Sequence, residues 1–166
     1  LLSDRQVTFI PGDAEQLSFP SGQDLIVSCS ALQWFVSPEQ FFKRCNALLS
    51  GHGYFAFSTF GKENLKEIAA VTGSGLHYYS LEELKKSLSM HYNIVTAGEE
   101  RIRLTFATPL DVLYHLKHTG VTAVCRQAWT KGDLQEFCDK YAKLFSCGNA
   151  VTLTYHPLYI IARKKP

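Results

Sequence analysis

The chain has 166 residues, 46% of them hydrophobic and 19% charged, which excludes intrinsic disorder and predicts one globular domain. A net charge of +2 argues against a general nucleic-acid surface. No apolar run approaches the ~20 residues of a membrane-crossing helix, and no basic n-region with an apolar h-region opens the chain.

Gln6 to Ile10 reads as a short strand, followed by Pro-Gly and then Asp13-Ala14-Glu15. Asp24 to Val27 reads as the start of a second strand, apolar without alternation, as buried parallel strands are. It breaks into Ser28-Cys29-Ser30, then Gln33, Trp34 and Phe35. In open α/β sheets that carboxyl edge is where ligands bind. Ser37-Pro38-Glu39-Gln40 predicts a helix start, with Ser37 as N-cap, Pro38 at the first position and Gln40 closing a capping box. Phe41, Phe42, Cys45, Leu48 and Leu49 share one face, and Gly51 suits a left-handed stop. Tyr54 to Phe60 predicts a third strand, which completes a strand–helix–strand unit with a right-handed crossover.

A helix is expected from near Lys62 to Gly73, and Ser80-Leu81-Glu82-Glu83 is a capping box that opens another. Ile102, Leu104 and Phe106 alternate with Arg101, Arg103 and Thr105, the pattern of a half-buried strand. Two helices follow, from Thr108-Pro109 to Gly120 and from Thr130 to about Phe145. Val151 to Arg163 predicts a last strand, with a bulge or edge position at Pro157 because proline removes a ladder bond.

Gly51-His52-Gly53-Tyr54-Phe55-Ala56 matches a dinucleotide-binding pattern, but a helix precedes it and a strand follows, the reverse of what that motif requires. His115 and His118 lie three residues apart on a helix without a third ligand, so no metal site is expected. Five cysteines (Cys29, Cys45, Cys125, Cys138, Cys147), an odd number without CxxC spacing, fit a reduced cytoplasmic protein with buried thiols. The basic residues Arg101, Arg103, Lys117, Arg126 and Lys131 read either as a solvated face or as a surface for an acidic ligand or partner. Gly12-Asp13-Ala14-Glu15 and Ser28-Cys29-Ser30 put short polar residues at adjoining strand ends, where a nucleoside would find acceptors. Capping of the local turn explains Asp13 equally well.

The runs GDAEQLSF, DLIVSCSALQWF, LLSGHGYFAFSTFGKENLKEI, DVLYHLKHTG and LTYHPLYIIARK, in this order, cover nearly the whole chain. They resemble the class I S-adenosylmethionine-dependent methyltransferases, and most closely the malonyl-acyl carrier protein O-methyltransferases of biotin synthesis. The resemblance implies an α/β, Rossmann-like sheet, mostly parallel with an antiparallel last strand. The family's first strands, its glycine-rich loop and its acidic ribose-binding residue fall upstream of Leu1, so the resemblance covers the carboxyl-terminal two-thirds of the domain.

It further implies that Asp13 and Ala14 meet the adenine of S-adenosylmethionine, and that Ser28 and Cys29 face its methionine part. Many relatives carry Asn at the position of Cys29, which favours backbone contacts there. Gln33, Trp34, Thr59 and Phe60 would line the substrate entrance. Lys117, His118 and Arg126 would serve the malonyl-bearing acyl carrier protein, and helices at about 62–90 and 108–146 would form a lid. A carboxylate acceptor is already ionised at neutral pH, so no catalytic base is expected. Two other readings stay open: another small-acid methyltransferase, and a non-catalytic fragment that forms a homodimer through the exposed strand edge at Leu25-Ile26-Val27.

Overall fold

The structure, a computed structural model, describes residues 7–121 and 129–166. Strand β1 (Gln23–Cys29) pairs in parallel with β2 (Leu49–Phe60), and α1 (Pro38–Leu48) connects them, as the alternation of strand and helix signals predicts. The expected strand before them does not form: Gln6 lies outside the described residues, and Val7 to Ile10 is exposed and irregular. The start of α1 also differs from expectation. Pro38 is its first residue, but the Ser37 side chain makes no cap bond. Instead the Glu15 carboxylate accepts from the amides of Val36 and Ser37, each at 2.9 Å. A carboxylate there also meets the positive end of the helix dipole. At the other end Leu49 turns straight into β2 with extended dihedrals, so Gly51 is a strand residue and no left-handed stop is used.

The segment expected as one last strand divides into two strands in two sheets. Strand β6 (Ala150–Tyr155) joins a three-stranded sheet of order β4-β6-β5, with β4 at Ile102–Phe106 and β5 at Ser146–Cys147. Strand β7 (Pro157–Lys164) enters a four-stranded sheet of order β1-β2-β7-β3, with β3 at Tyr92–Glu99. It runs antiparallel to β2 and to β3, so β1, β2 and β3 share one direction. The chain changes sheets at His156. Pro157 opens β7 opposite Phe60, a first-residue position where its missing N–H breaks no ladder. The far side of β7 is taken by β3, a strand that the sequence reading did not single out.

Two apolar clusters hold these sheets. Phe42, Phe55 and Phe57 from α1 and β2 interlock with Tyr92, Leu158 and Ile160, and α3 (Leu81–Leu88) closes that side through Leu84 and Leu88. The Tyr92 hydroxyl, fully enclosed, donates to the Phe42 carbonyl at 2.8 Å. The second cluster unites α2 (Lys66–Thr72), α4 (Pro109–His118) and α5 (Lys131–Phe145) with β6. Formed capping boxes open α3, α4 and α5 at Ser80, Thr108 and Thr130. Helix α2 begins four residues later than expected, because residues 61–65 are drawn onto the sheet corner. There Gly61 N–H donates to the His156 carbonyl at 2.7 Å and Leu65 N–H to that of Thr154 at 2.8 Å.

Of the described cysteines only Cys45 is buried, and burial pushes its thiol up to about 12; Cys29 and Cys147 are exposed, against the expectation of buried thiols. Cys125 lies outside the described residues.

Candidate functional site

Strands β1 and β2 end side by side, and the polar residues after β1 stitch the two ends together. Ser30 turns the chain in a left-handed conformation (φ 50°), a strained choice for serine. Its amide donates to the carbonyl of Ser58 (3.0 Å) and to that residue's hydroxyl (3.2 Å). Gln33, in the 3-10 turn Leu32–Trp34, donates to the Ser30 carbonyl at 2.5 Å. Its amide oxygen accepts from the buried Thr59 hydroxyl at 3.2 Å. Gln33 therefore bridges both strand ends. Trp34, in the same turn, is 51% exposed.

Ala14, Ser28 and Cys29 line one cavity of about 430 Å³ between β1 and α1. Its wall includes Phe35 and Arg44. The Arg44 guanidinium donates to the carbonyls of Ala14 (3.5 Å) and Leu17 (2.5 Å), pinning the 13–17 turn against α1. Asp13 borders the site through Ala14, but its carboxylate is engaged within its own turn, accepting from Glu15 N–H and from the Gln16 side chain, each at 2.9 Å. The capping explanation for Asp13 is thus realised.

Gln33, Thr59 and Phe60 meet in a small crevice with Tyr78 and Leu84. Beyond it, a cavity of about 630 Å³ opens between Trp34 and α2. Of the expected carrier-recognition residues, neither Lys117 nor His118 lines either of these. Lys117 and His118 are exposed on the last turn of α4, where the His118 Nδ1 bonds the Tyr114 carbonyl at 2.7 Å. Arg126 lies outside the described residues. His115 turns inward and meets the Tyr155 hydroxyl at 3.0 Å, so the two histidines do not converge. Arg101 is tied down by Glu63 (2.5 Å) and Glu99 (3.2 Å). The Arg101 guanidinium, then the Lys66 ammonium, pull the Glu63 carboxyl down to about 2.

Sequence reasoning missed a buried polar corner beside this site. The His156 ring is 3% exposed; its Nδ1 accepts from Glu63 N–H at 3.2 Å and its Nε2 meets Glu99 at 3.1 Å. Asn64 accepts from His156 N–H at 3.2 Å and donates to the Tyr78 hydroxyl at 3.1 Å. Buried Glu67 accepts from both the amide (3.0 Å) and the hydroxyl (2.6 Å) of Thr154. A polar Thr-Tyr-His run inside an otherwise apolar strand was the available signal.

Residues 1–57 match the model of the methyltransferase domain family. The malonyl-acyl carrier protein O-methyltransferase of Bacteroides thetaiotaomicron is 56% identical over 99% of this chain and 67% of its own length. The chain belongs to the malonyl-acyl carrier protein O-methyltransferase family. Two further members are those of Bacteroides fragilis, 57% identical over 99% of the chain, and Porphyromonas gingivalis, 46% identical over 95%. The chain spans 34% of the former's length and 63% of the latter's. In fold it is similar to a solved methyltransferase of Bacillus halodurans, with a TM-score of 0.68 at 17% identity, covering 99% of this chain and 74% of that one. The family thus accounts for the Rossmann-like α/β fold with an antiparallel β7. Among the described residues no helix is long and apolar enough to cross a membrane.

Proposed function

We propose that the whole protein is a cytoplasmic enzyme of biotin synthesis that moves a methyl group from S-adenosylmethionine to the free carboxylate of a malonyl-acyl carrier protein. The observation that carries this is 56% identity, over nearly the whole chain, to a relative so named. The strand-end geometry supports it. A largely apolar cavity lined by Ala14, Ser28 and Cys29 suits a nucleoside with a short polar tail. Asp13 retains acceptor capacity beyond its two local bonds for the exocyclic amine of adenine. Ala14 supports the ring, and Ser28 and Cys29 face the methionine portion. Gln33, Trp34, Thr59 and Phe60 border the acceptor's approach.

The acceptor oxygen forms a bond to the methyl carbon while the carbon–sulfur bond breaks, and that electron pair stays on sulfur. The carboxylate is already ionised, so no proton moves and no general base is needed. The protein orients the pair and excludes water, and near-attack positioning supplies up to about 7–11 kcal/mol. The helices within 62–90 and 108–146 act as the lid. Lys117 and His118, with Arg126, meet the acidic carrier at the rim, where charge chiefly governs association and salt dependence. Comparing carrier-bound with free malonyl ester as methyl acceptors tests this reading: Lys117→Ala should weaken apparent affinity only for the carrier-bound form.

A second reading rests on the edge of β1, where Leu25 and Val27 are 55% and 58% exposed and one side of the strand has no β partner among the described residues. Such an edge pairs readily with another strand. We infer that a chain of these 166 residues forms a homodimer through it. Light scattering that shows only monomers across a wide concentration range would contradict this.

A further inference from the structure

The cavity between Trp34 and α2 belongs to none of the roles assigned above. It measures about 630 Å³, and its walls come from Trp34, Ile68, Ala69 and Leu76, with Asn64 and Tyr78 as polar groups and Lys62 and Lys66 as cations. That volume is within the range of about 300–1,000 Å³ typical of small-molecule sites, as is the combination of apolar wall and few polar groups. Tyr78 also borders the crevice formed by Gln33, Thr59 and Phe60, so the cavity adjoins that crevice through the tyrosine ring. We propose that it seats the phosphopantetheine arm of the thioester substrate, with Asn64 and Tyr78 reading its amides and Lys62 and Lys66 meeting its phosphate. This rests on the methyl-transfer reading above.

The arm alternates methylene and amide groups and ends in a phosphodiester, so its seat needs apolar walls, sparse hydrogen-bonding groups and a cationic end. The polar pair is preorganised. Asn64 is 5% exposed and fixed from behind, because its side-chain oxygen accepts from His156 N–H. Its amide donates to the Tyr78 hydroxyl, which leaves the tyrosine's own proton free of any acceptor among the described residues. Burial raises the Tyr78 hydroxyl above its ordinary range, which keeps that proton in place to donate to an arm carbonyl. Lys62 and Lys66 are half exposed, held by Glu83 at 2.7 Å and Glu63 at 3.0 Å. Exposed pairs of this kind are weak, so a phosphate can share or replace either carboxylate. The corner at His156 thereby acquires a purpose: it holds the 61–65 turn, and with it Asn64 and both lysines, against the cavity.

The test uses the full-length protein and three methyl acceptors: malonyl-carrier protein, malonyl-coenzyme A, and a short malonyl thioester without the arm. Ala69→Trp fills the cavity from an exposed helical position, and Tyr78→Phe removes only the donor. Both should lower the preference for the two arm-bearing acceptors over the short thioester, Ala69→Trp at least tenfold and Tyr78→Phe severalfold. Because the readout is a ratio within one preparation, partial misfolding does not mimic it. An unchanged preference overturns the assignment. So does a loss confined to the carrier protein, since the protein surface rather than the arm would then be read. If the unsubstituted protein methylates none of the three, the function reading itself falls, and the assignment with it.

Discussion

Phe55→Ala should destabilise the protein by about 3–5 kcal/mol, the usual cost of emptying an aromatic site in a packed core. Phe55 is 0% exposed, and its ring packs at 5.0 Å from Phe57, 5.9 Å from Phe42 and 6.0 Å from Tyr92. It thus joins α1 and β2 to β3, a strand more than 30 residues further along the chain. The cavity cannot close by a small shift, because Phe42 is held by its own stack on Phe57 and Tyr92 by its bond to the Phe42 carbonyl. Phe55→Leu keeps most of the volume and should lose less than half as much. Urea unfolding followed by fluorescence measures both, and a loss below about 1 kcal/mol for the alanine variant, the scale of a surface change, would show that this cluster does not anchor the sheet.

Glu67→Ala is expected to cost about 2–6 kcal/mol, because it orphans two buried donors at about 1–3 kcal/mol each. The Glu67 side chain is 1% exposed, and the donors are the Thr154 amide and hydroxyl, two residues before the chain changes sheets. Glu67→Gln retains one accepting oxygen and should recover about half of the loss. The effect should concentrate where α2 meets β6. Hydrogen exchange at Thr154 should accelerate more than at Ile160 in the other sheet. Equal acceleration at both would mean that the two sheets unfold as one unit and the bond is not local.

Local signals were legible where a few neighbouring residues settle the outcome. The box at Ser80 and Glu83, the starts at Thr108 and Thr130, and strands at the apolar runs of β1 and β2 formed as expected, although Leu25 and Val27 of β1 are exposed rather than buried. Signals that depend on distant partners were not. Glu15 displaces Ser37 as the cap of α1 from 22 residues upstream, a competition no local pattern reveals. His156 and Asn64 meet across 92 residues, so the sheet change at that corner looked like one strand with a bulge. Strand β3 escaped notice because Ile94, Val95 and Thr96 are its only β-branched residues, and its pairing with β7 supplies the rest. The strand-end site was visible as polar residues after an apolar run. The bridging role of Gln33 between Ser30 and Thr59 needed the fold.

The most direct measurement is methyl transfer by the full-length protein, with isotopically labelled S-adenosylmethionine and malonyl-acyl carrier protein as the acceptor. Mass spectrometry of the carrier should show label in one methyl group on the malonyl carboxylate, removable by mild ester hydrolysis. Acetyl-carrier protein, which lacks the free carboxylate, should remain unlabelled. Label that appears on the acetyl form or on a side chain of the carrier, or no label on the malonyl form while S-adenosylmethionine binds, would contradict carboxylate methylation as the function of this site.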